Sequence, residues 1–315
     1  MTFEVKRLPK NLRFGATPLS VSSCASHKPQ PDGVRRINEK CVELETYPNY
    51  IRSGTAGYIG MSALVSAIAF ASSLLALGPA KVDLETVLIM LSGLPVSIGL
   101  AFVFYIASGT HRSRGAFIRI HRDTRKLYFV SLPQQRLHAL DWDHIEALAG
   151  YIPLISTGGY TTRKPLYLIG VDRDMSPPTE ICVACGNLGL FDGDRSAKAL
   201  WAYLYAFMAQ GPEGLPEPAP LPPRLSRRQE TLQPYRKWYA ELRRRLVEPY
   251  GMLKAPITIP LWIILLLIEA YPDSVEAFLQ YHVPYTPFPP DIDQLCGFDE
   301  IQSPVIGVSG DRIQP

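Results

Sequence analysis

The densest group of residues that could do chemistry is Asp141-Trp142-Asp143-His144. Carboxylates beside an imidazole are residue types used in acid–base catalysis. Such a site would also need a nucleophile or a metal nearby, and the sequence indicates neither. On an alternating strand, Asp141 and Asp143 would share one face, with Trp142 on the other. We therefore predict that the chain is not an enzyme and interpret Asp141, Asp143 and His144 as candidate partner-binding residues.

A cysteine pair with metal-like spacing occurs at Cys182 and Cys185. A zinc site needs a second pair of ligands at comparable spacing, and the sequence has none. On a strand, residues three apart point to opposite faces, so small buried residues are the better interpretation. No glycine-rich phosphate loop followed by Lys and Ser or Thr occurs either. We predict no metal site and no cofactor.

Composition sets the broad class of the protein. The 315 residues are 47% hydrophobic and 19% charged, and the hydrophobic fraction excludes a wholly disordered chain. With 23 Gly the chain is not collagen-like, and with 5 Cys it is not a disulfide scaffold. A formal net charge of +3 is too small to indicate a nucleic-acid partner, and we predict none. The mean hydropathy of +0.03 hides an uneven distribution of apolar residues along the chain.

Two uncharged segments, 57–77 and 87–107, are each long enough to cross a bilayer, which takes about 20 residues. They predict a two-helix transmembrane hairpin over 57–108, after a cytoplasmic N-terminal arm at 1–56. Lys and Arg are frequent on both flanks, whereas the loop contains only Lys81, so both flanks should be cytoplasmic. Neither segment contains an ionisable residue of the kind that transporters use, which indicates an anchor.

Small residues recur on one face of the first segment, between residues 62 and 71. They are Ser62, Ala63, Ser66, Ala67 and Ala71. Such a face permits close approach of another helix. Packing against the second segment and formation of a homo-oligomer both remain open.

Short alternating runs follow from Ala116, with Ile118 and Ile120 opposite Arg119 and His121. A helical stripe then indicates one amphipathic helix that Asp192 or Asp194 can cap. Its residues are Ala197, Leu200, Trp201, Leu204, Phe207 and Met208. The predicted fold class is an α+β membrane protein, in which the hairpin precedes a small antiparallel β domain (109–210) closed by a C-terminal helix.

The order of these elements, together with the run IRIHRDTRKLYF, resembles bacterial pleckstrin-homology-like domains over Gly115–Gln210. That resemblance implies a binding module.

Six prolines make 211–223 a stiff linker. The next segment, 224–254, has aromatic residues on one face and basic residues around them. We predict that it lies on the anionic cytoplasmic membrane surface; a solvated helix docked on the β domain is the alternative. The residues expected at the lipid headgroups are Tyr235, Trp238, Arg243, Arg244 and Arg245.

A third apolar segment, 255–271, gives conflicting signals. Its uncharged part has only 14 residues, including Pro256 and Pro260, which favours a buried, interfacial or re-entrant element. The tail at 272–315 is acidic and rich in proline, as a translocated tail would be. Spanning and re-entrant arrangements therefore both remain open.

The whole chain from Ser53 to Glu300 is similar to a set of uncharacterised proteobacterial inner-membrane proteins. The resemblance is carried by the hairpin, RIHRDTRKLYF, LDWDHI and FPPDIDQLCGFDE. Genes of that family often lie beside type VI secretion effectors. The resemblance implies an inner-membrane immunity or accessory protein that binds such an effector through its cytoplasmic module. A membrane-anchored scaffold that senses lipid or another protein is the alternative.

Overall fold

The computed structural model describes residues 5–20, 27–77, 84–113, 117–131, 134–156, 159–186, 193–220 and 225–298. The chain divides into two compact units. The β unit comprises Met1–Tyr50, Gly115–Pro222 and Tyr285–Pro315, and the helical unit comprises Ile51–Arg114 and Pro223–Pro284. The fold is α+β, with antiparallel sheets and three helices long and apolar enough to cross a membrane.

The β unit contains two larger antiparallel sheets. The four-stranded sheet has the order β1 (Thr17–Pro18), β7 (Glu146–Ala149), β10 (Leu166–Asp172), β11 (Thr179–Cys185). The five-stranded sheet has the order β2 (Val34–Ile37), β3 (Cys41–Glu45), β4 (Phe117–His121), β5 (Lys126–Ser131), β6 (Arg136–Asp141). Strands β8 (Ile152–Ser156) and β9 (Gly159–Arg163) form a separate hairpin.

The main core joins both larger sheets to one helix. Ile118 and Ile120 of β4 are fully buried there, as is Leu168 of β10. Helix α3 (Arg195–Gln210) closes the core, and all six residues of its predicted stripe are buried. It is the third α-helix along the chain; a short 3₁₀ turn at Lys10–Arg13 precedes all of them. Asp194, one of the two expected caps, is the N-cap, but its carboxylate makes no capping bond and pairs with Lys198 at 2.8 Å. Asp192, the other expected cap, lies outside the described residues.

The opposite face of β4 is buried as well, which the alternating pattern did not suggest. Arg119 and His121 are 3% and 2% exposed, because residues 285–298 cover that face. His121 donates from Nε2 to the carbonyl oxygen of Leu295 at 3.1 Å, and Asn38 donates to that of Cys296 at 2.7 Å. A second apolar cluster forms there from Cys41, Phe117, Tyr128, Val130, Phe288, Ile292, Cys296 and Phe298.

Helices α1 (Tyr47–Leu77) and α2 (Leu84–Ala107) form the first part of the helical unit. Their segments Thr55–Ala76 and Val87–Ala107 are apolar, and large side chains such as Leu75 and Leu100 are exposed at 84% and 66%. The hydroxyls of Ser66 and Ser97 are hydrogen-bonded. Ser66 of the small-residue face therefore contacts α2, whereas Ala67 and Ala71 of that face are exposed.

The third apolar helix is longer than its uncharged run of residues. It begins with α5 (Gly251–Leu265), passes through one π-helical turn (Leu266–Ala270) and ends with α6 (Tyr271–Gln280). These elements form one continuous helix of 30 residues. Helix α4 (Arg227–Val247) comes immediately before this third apolar helix in the chain. The label α3 belongs to helix Arg195–Gln210 of the β unit. Pro256 and Pro260 lie inside α5 without ending it.

The structure divides the chain differently from the sequence-based boundaries. Instead of a separate N-terminal arm at 1–56, strands β1, β2 and β3 complete the two sheets. Instead of a tail starting at 272, the helix continues to Gln280, and residues 285–298, including α7 (Pro290–Cys296), belong to the β unit. These pairings depend on partners far away in the sequence, which is why local patterns did not reveal them.

Candidate functional site

The predicted partner-binding residues lie at a tight corner after β6. Asp141 is the last residue of that strand, and Trp142–His144 form a short 3₁₀ helix. The carboxylate of Asp141 caps this turn by accepting from the backbone N–H of Asp143 at 3.2 Å. Asp141 and Asp143 therefore do not share a strand face, as the alternating pattern predicted, because the capping bond ends the strand between them. Trp142 faces the core, with its ring centroid 5.2 Å from that of Trp201.

Both carboxylates at this corner are paired with cationic or imidazole groups. Arg125 donates from Nε to Asp143 Oδ2 at 2.8 Å, and Nδ1 of His144 lies 2.8 Å from Oδ2 of Asp141. The hydrogen bond from His144 lowers the pKa of Asp141, and the one from Arg125 lowers the pKa of Asp143. These side chains are between 42% and 65% exposed. The corner is thus an exposed polar surface with ionised carboxylates.

The cysteine pair lies on β11, where Cys185 is buried and Cys182 half-buried. Burial raises the pKa of the Cys182 thiol to about 12, which disfavours the thiolate that metals bind. Within the described ranges, no group of three or more His, Cys, Asp or Glu could hold a metal ion.

A chain of polar contacts that the sequence analysis missed joins Ser131, His138 and Asp172. The hydroxyl of Ser131 is 2.9 Å from His138 Nε2, and Nδ1 of the same ring is 2.7 Å from Asp172 Oδ2. Asp172 and His138 are buried. The order of groups matches a nucleophile, a base and an orienting carboxylate. Ser131 is the last residue of β5, opposite Arg136, and its hydroxyl also donates to the carbonyl oxygen of Arg136 at 3.4 Å.

A buried ionic cluster was also missed. Glu43 of β3 is fully buried and accepts from Arg36 Nη2 at 2.7 Å and from Arg119 Nε at 3.0 Å. Burial alone would raise the pKa of Glu43, but these bonds and the nearby guanidinium charges outweigh it and lower the pKa. Arg119 also pairs with Asp293 of α7. Since the partners are up to 174 residues apart, no local pattern indicates this cluster.

The residues predicted to contact membrane lie on α4. Trp238 is half-buried and donates from Nε1 to the carbonyl oxygen of Trp262 at 2.7 Å, and Tyr235 is half-buried too. Arg243, Arg244 and Arg245 are exposed at the end of the helix, where Glu241 pairs with the last two. The structure thus joins the aromatic side of α4 to the third apolar helix and leaves its terminal basic residues on the surface.

A family model described as a family of unknown function, DUF6708, matches residues 81–276, more than half of the chain. The chain belongs to this family. The DUF6708 match contains both groups of predicted site residues, whereas strands β1–β3 and residues 285–298 lie outside it. No curated protein matches the chain, and no solved structure matches it. Membership therefore assigns no activity to the DUF6708 chain.

Proposed function

We propose that this chain is a non-enzymatic protein of the bacterial inner membrane that binds a type VI secretion effector through its β unit. The observation that carries the membrane part is the set of three long helices whose apolar side chains are exposed. Exposed apolar surface of this extent is typical of lipid contact. The effector part rests on the resemblance of the sequence.

The β unit has the features of a binding module. Its two antiparallel sheets and closing helix are compatible with a pleckstrin-homology-like arrangement. Strands that precede α1 pair with strands that follow α2, so the chain before and after this helix pair lies on the same side of the proposed membrane. The corner at Asp141–His144 offers exposed polar groups on a rigid turn. Rigid, charged corners give orientation and specificity to protein contacts.

The polar chain of Ser131, His138 and Asp172 is the feature that would favour an enzyme instead. A fluorophosphonate probe, which forms a covalent bond with activated serines, tests this directly on the full-length protein. We expect no labelling, because the Ser131 hydroxyl can donate to the carbonyl oxygen of Arg136, at 3.4 Å, instead of to His138. Labelling that disappears in Ser131→Ala would overturn the non-enzymatic proposal.

The effector partner can be tested by co-expression of the full chain with the secreted protein encoded beside it. We expect co-purification from detergent and protection of the cells. A double variant, Asp141→Asn with His144→Ala, should weaken co-purification, whereas Asp174→Asn at the exposed turn between β10 and β11 should not. Absence of both protection and co-purification would contradict the proposal.

The alternative function is a scaffold whose β unit binds anionic lipid headgroups or another membrane protein. The full chain in neutral nanodiscs should then capture vesicles containing anionic lipid but not vesicles of phosphatidylcholine alone. Equal capture of both would remove the lipid-sensing version of this alternative.

A further inference from the structure

We infer that the third apolar helix does not cross the bilayer but lies with α4 in the interface of one leaflet, against anionic lipid. This inference rests on the proposed membrane location and adds a topology to it. Its starting point is the β unit, which is built from three separate stretches of chain.

The β unit limits how often the chain can cross a membrane. Strand β3 pairs with β4, and residues 285–298 pack on β4 and β3, so all three stretches must lie on the same side. Between residues 223 and 284 the chain can then cross an even number of times only, either twice or not at all.

Two crossings would require α4 to span the bilayer. This helix has 21 residues, with seven basic and two acidic side chains. At about 1.5 Å per residue it just matches a hydrocarbon core of about 30 Å. Arg236 and Lys237, which are exposed, would lie near the bilayer centre, where charged side chains are costly. Crossing by α4 is therefore strongly disfavoured.

The contacts of α4 indicate an antiparallel pair with the apolar helix. At one end, the Tyr281 hydroxyl donates to the Leu225 carbonyl oxygen at 3.3 Å; further along, Ser274 donates to that of Thr231 at 2.8 Å. The Trp238–Trp262 bond lies nearer the turn. Because only an even number of crossings is allowed between residues 223 and 284, the apolar helix does not cross if α4 does not.

The apolar helix as a whole is long enough to cross, but its uncharged part is short for a crossing. Only the 14 residues between Lys254 and Glu269 are uncharged, about 21 Å of helix. Its most exposed apolar side chains cluster near the turn, with Met252, Leu253 and Ile257 at 76%, 80% and 78%. A helix of this kind beside a basic helix fits the boundary between headgroups and acyl chains. The apolar helix then lies toward the acyl chains and α4 toward the headgroups.

Cysteine accessibility in cells and inverted vesicles tests this topology with the full-length protein. Three variants are labelled with a membrane-impermeant maleimide above the background of the natural cysteines. They are Asp123→Cys for the β unit, Lys81→Cys for the loop between the first two apolar segments, and Glu248→Cys for the turn after α4. We expect Glu248→Cys to react from the same side as Asp123→Cys, and Lys81→Cys from the opposite side.

Reaction of Glu248→Cys from the Lys81→Cys side alone would overturn the inference, because the pair would then cross twice. Protection from both sides until detergent is added would overturn it too, since the turn would lie below the headgroups. If all three variants react from one side and alkaline carbonate extracts the protein, the proposed membrane anchoring itself fails. That result differs from both of the others.

The lipid partner is tested in nanodiscs with limited trypsin digestion. In discs containing phosphatidylglycerol, we expect cleavage at Arg243–Arg245 to be about tenfold slower than in phosphatidylcholine discs. Cleavage at exposed Arg173 of the β unit should be unchanged and serves as the control. Equal rates at the Arg243–Arg245 run in both lipids would overturn the assignment to an anionic surface.

Discussion

Removal of the buried charge of Glu43 should destabilise the β unit strongly. Glu43→Gln keeps the size of the side chain but leaves Arg36 and Arg119, 8% and 3% exposed, without their shared carboxylate. Breaking a buried ion pair from one side costs about 3–5 kcal/mol, because an uncompensated charge stays buried. For a unit of this size, each kcal/mol lowers Tm by about 2–4 °C, so the expected decrease is about 6–20 °C.

The measurement is thermal unfolding of the full chain in detergent, followed by the fluorescence of the buried Trp142 and Trp201. Glu39→Gln, at an exposed position between β2 and β3, is the matched control and should change stability by less than about 0.5 kcal/mol. Adding Arg36→Met to Glu43→Gln should recover part of the loss, since it removes an unpaired charge. If Glu43→Gln unfolds at the same temperature as Glu39→Gln, the ion-pair reasoning is refuted.

Three further predictions concern the β unit. The hydrogen bonds and nearby guanidinium charges lower the pKa of Glu43 in the folded state. The contribution of Glu43 to the free energy of unfolding should therefore be complete above about pH 5 and lost as the pH falls toward the lowered pKa. Urea midpoints at several pH values measure this. Phe207→Ala, in the closing helix, should cost about 3–5 kcal/mol in the same urea titration. Cys182, whose pKa burial raises to about 12, should react slowly with iodoacetamide at pH 8 until the protein unfolds, as peptide mass spectrometry would show.

Each of these predictions has a contrary outcome. If wild type and Glu43→Gln lose the same amount of stability in acid, the pH dependence does not come from Glu43 and the first prediction is wrong. Tyr205→Ala is the control for Phe207→Ala, because Tyr205 lies on the exposed side of the same helix, and equal costs would contradict the assignment of the core face. Alkylation of Cys182 at the same rate in folded and unfolded protein would contradict its burial.

Local periodicity was enough to predict the elements whose environment is set by near neighbours. The uncharged segments became long apolar helices, and the stripe from Ala197 to Met208 became the buried face of α3. In both, spacing along one helix determines which side chains share a face. The expected strand at Phe117–His121 is present for the same reason, since residues of a strand alternate between its two faces.

Features that depend on distant partners could not be predicted. Nothing near Arg119 and His121 in the sequence shows that residues 285–298 cover them. Asp143 was assigned to a strand because the pattern does not reveal the capping bond that ends β6 at Asp141. The contacts of His138 with Ser131 and Asp172 likewise require the register of β5 and β6 and the end of β10.

The three-part construction of the β unit has a consequence for biosynthesis. Strands β1–β3 leave the ribosome before α1, yet β3 pairs with β4, which emerges only after the first helix pair has been made. The residues that cover Glu43 and Arg119 come later still, after α6. A nascent chain therefore keeps an unpaired strand edge and a half-formed ionic cluster during most of its translation. Synthesis of the apolar helices precedes completion of the β unit, and a pause between these steps exposes the chain to aggregation.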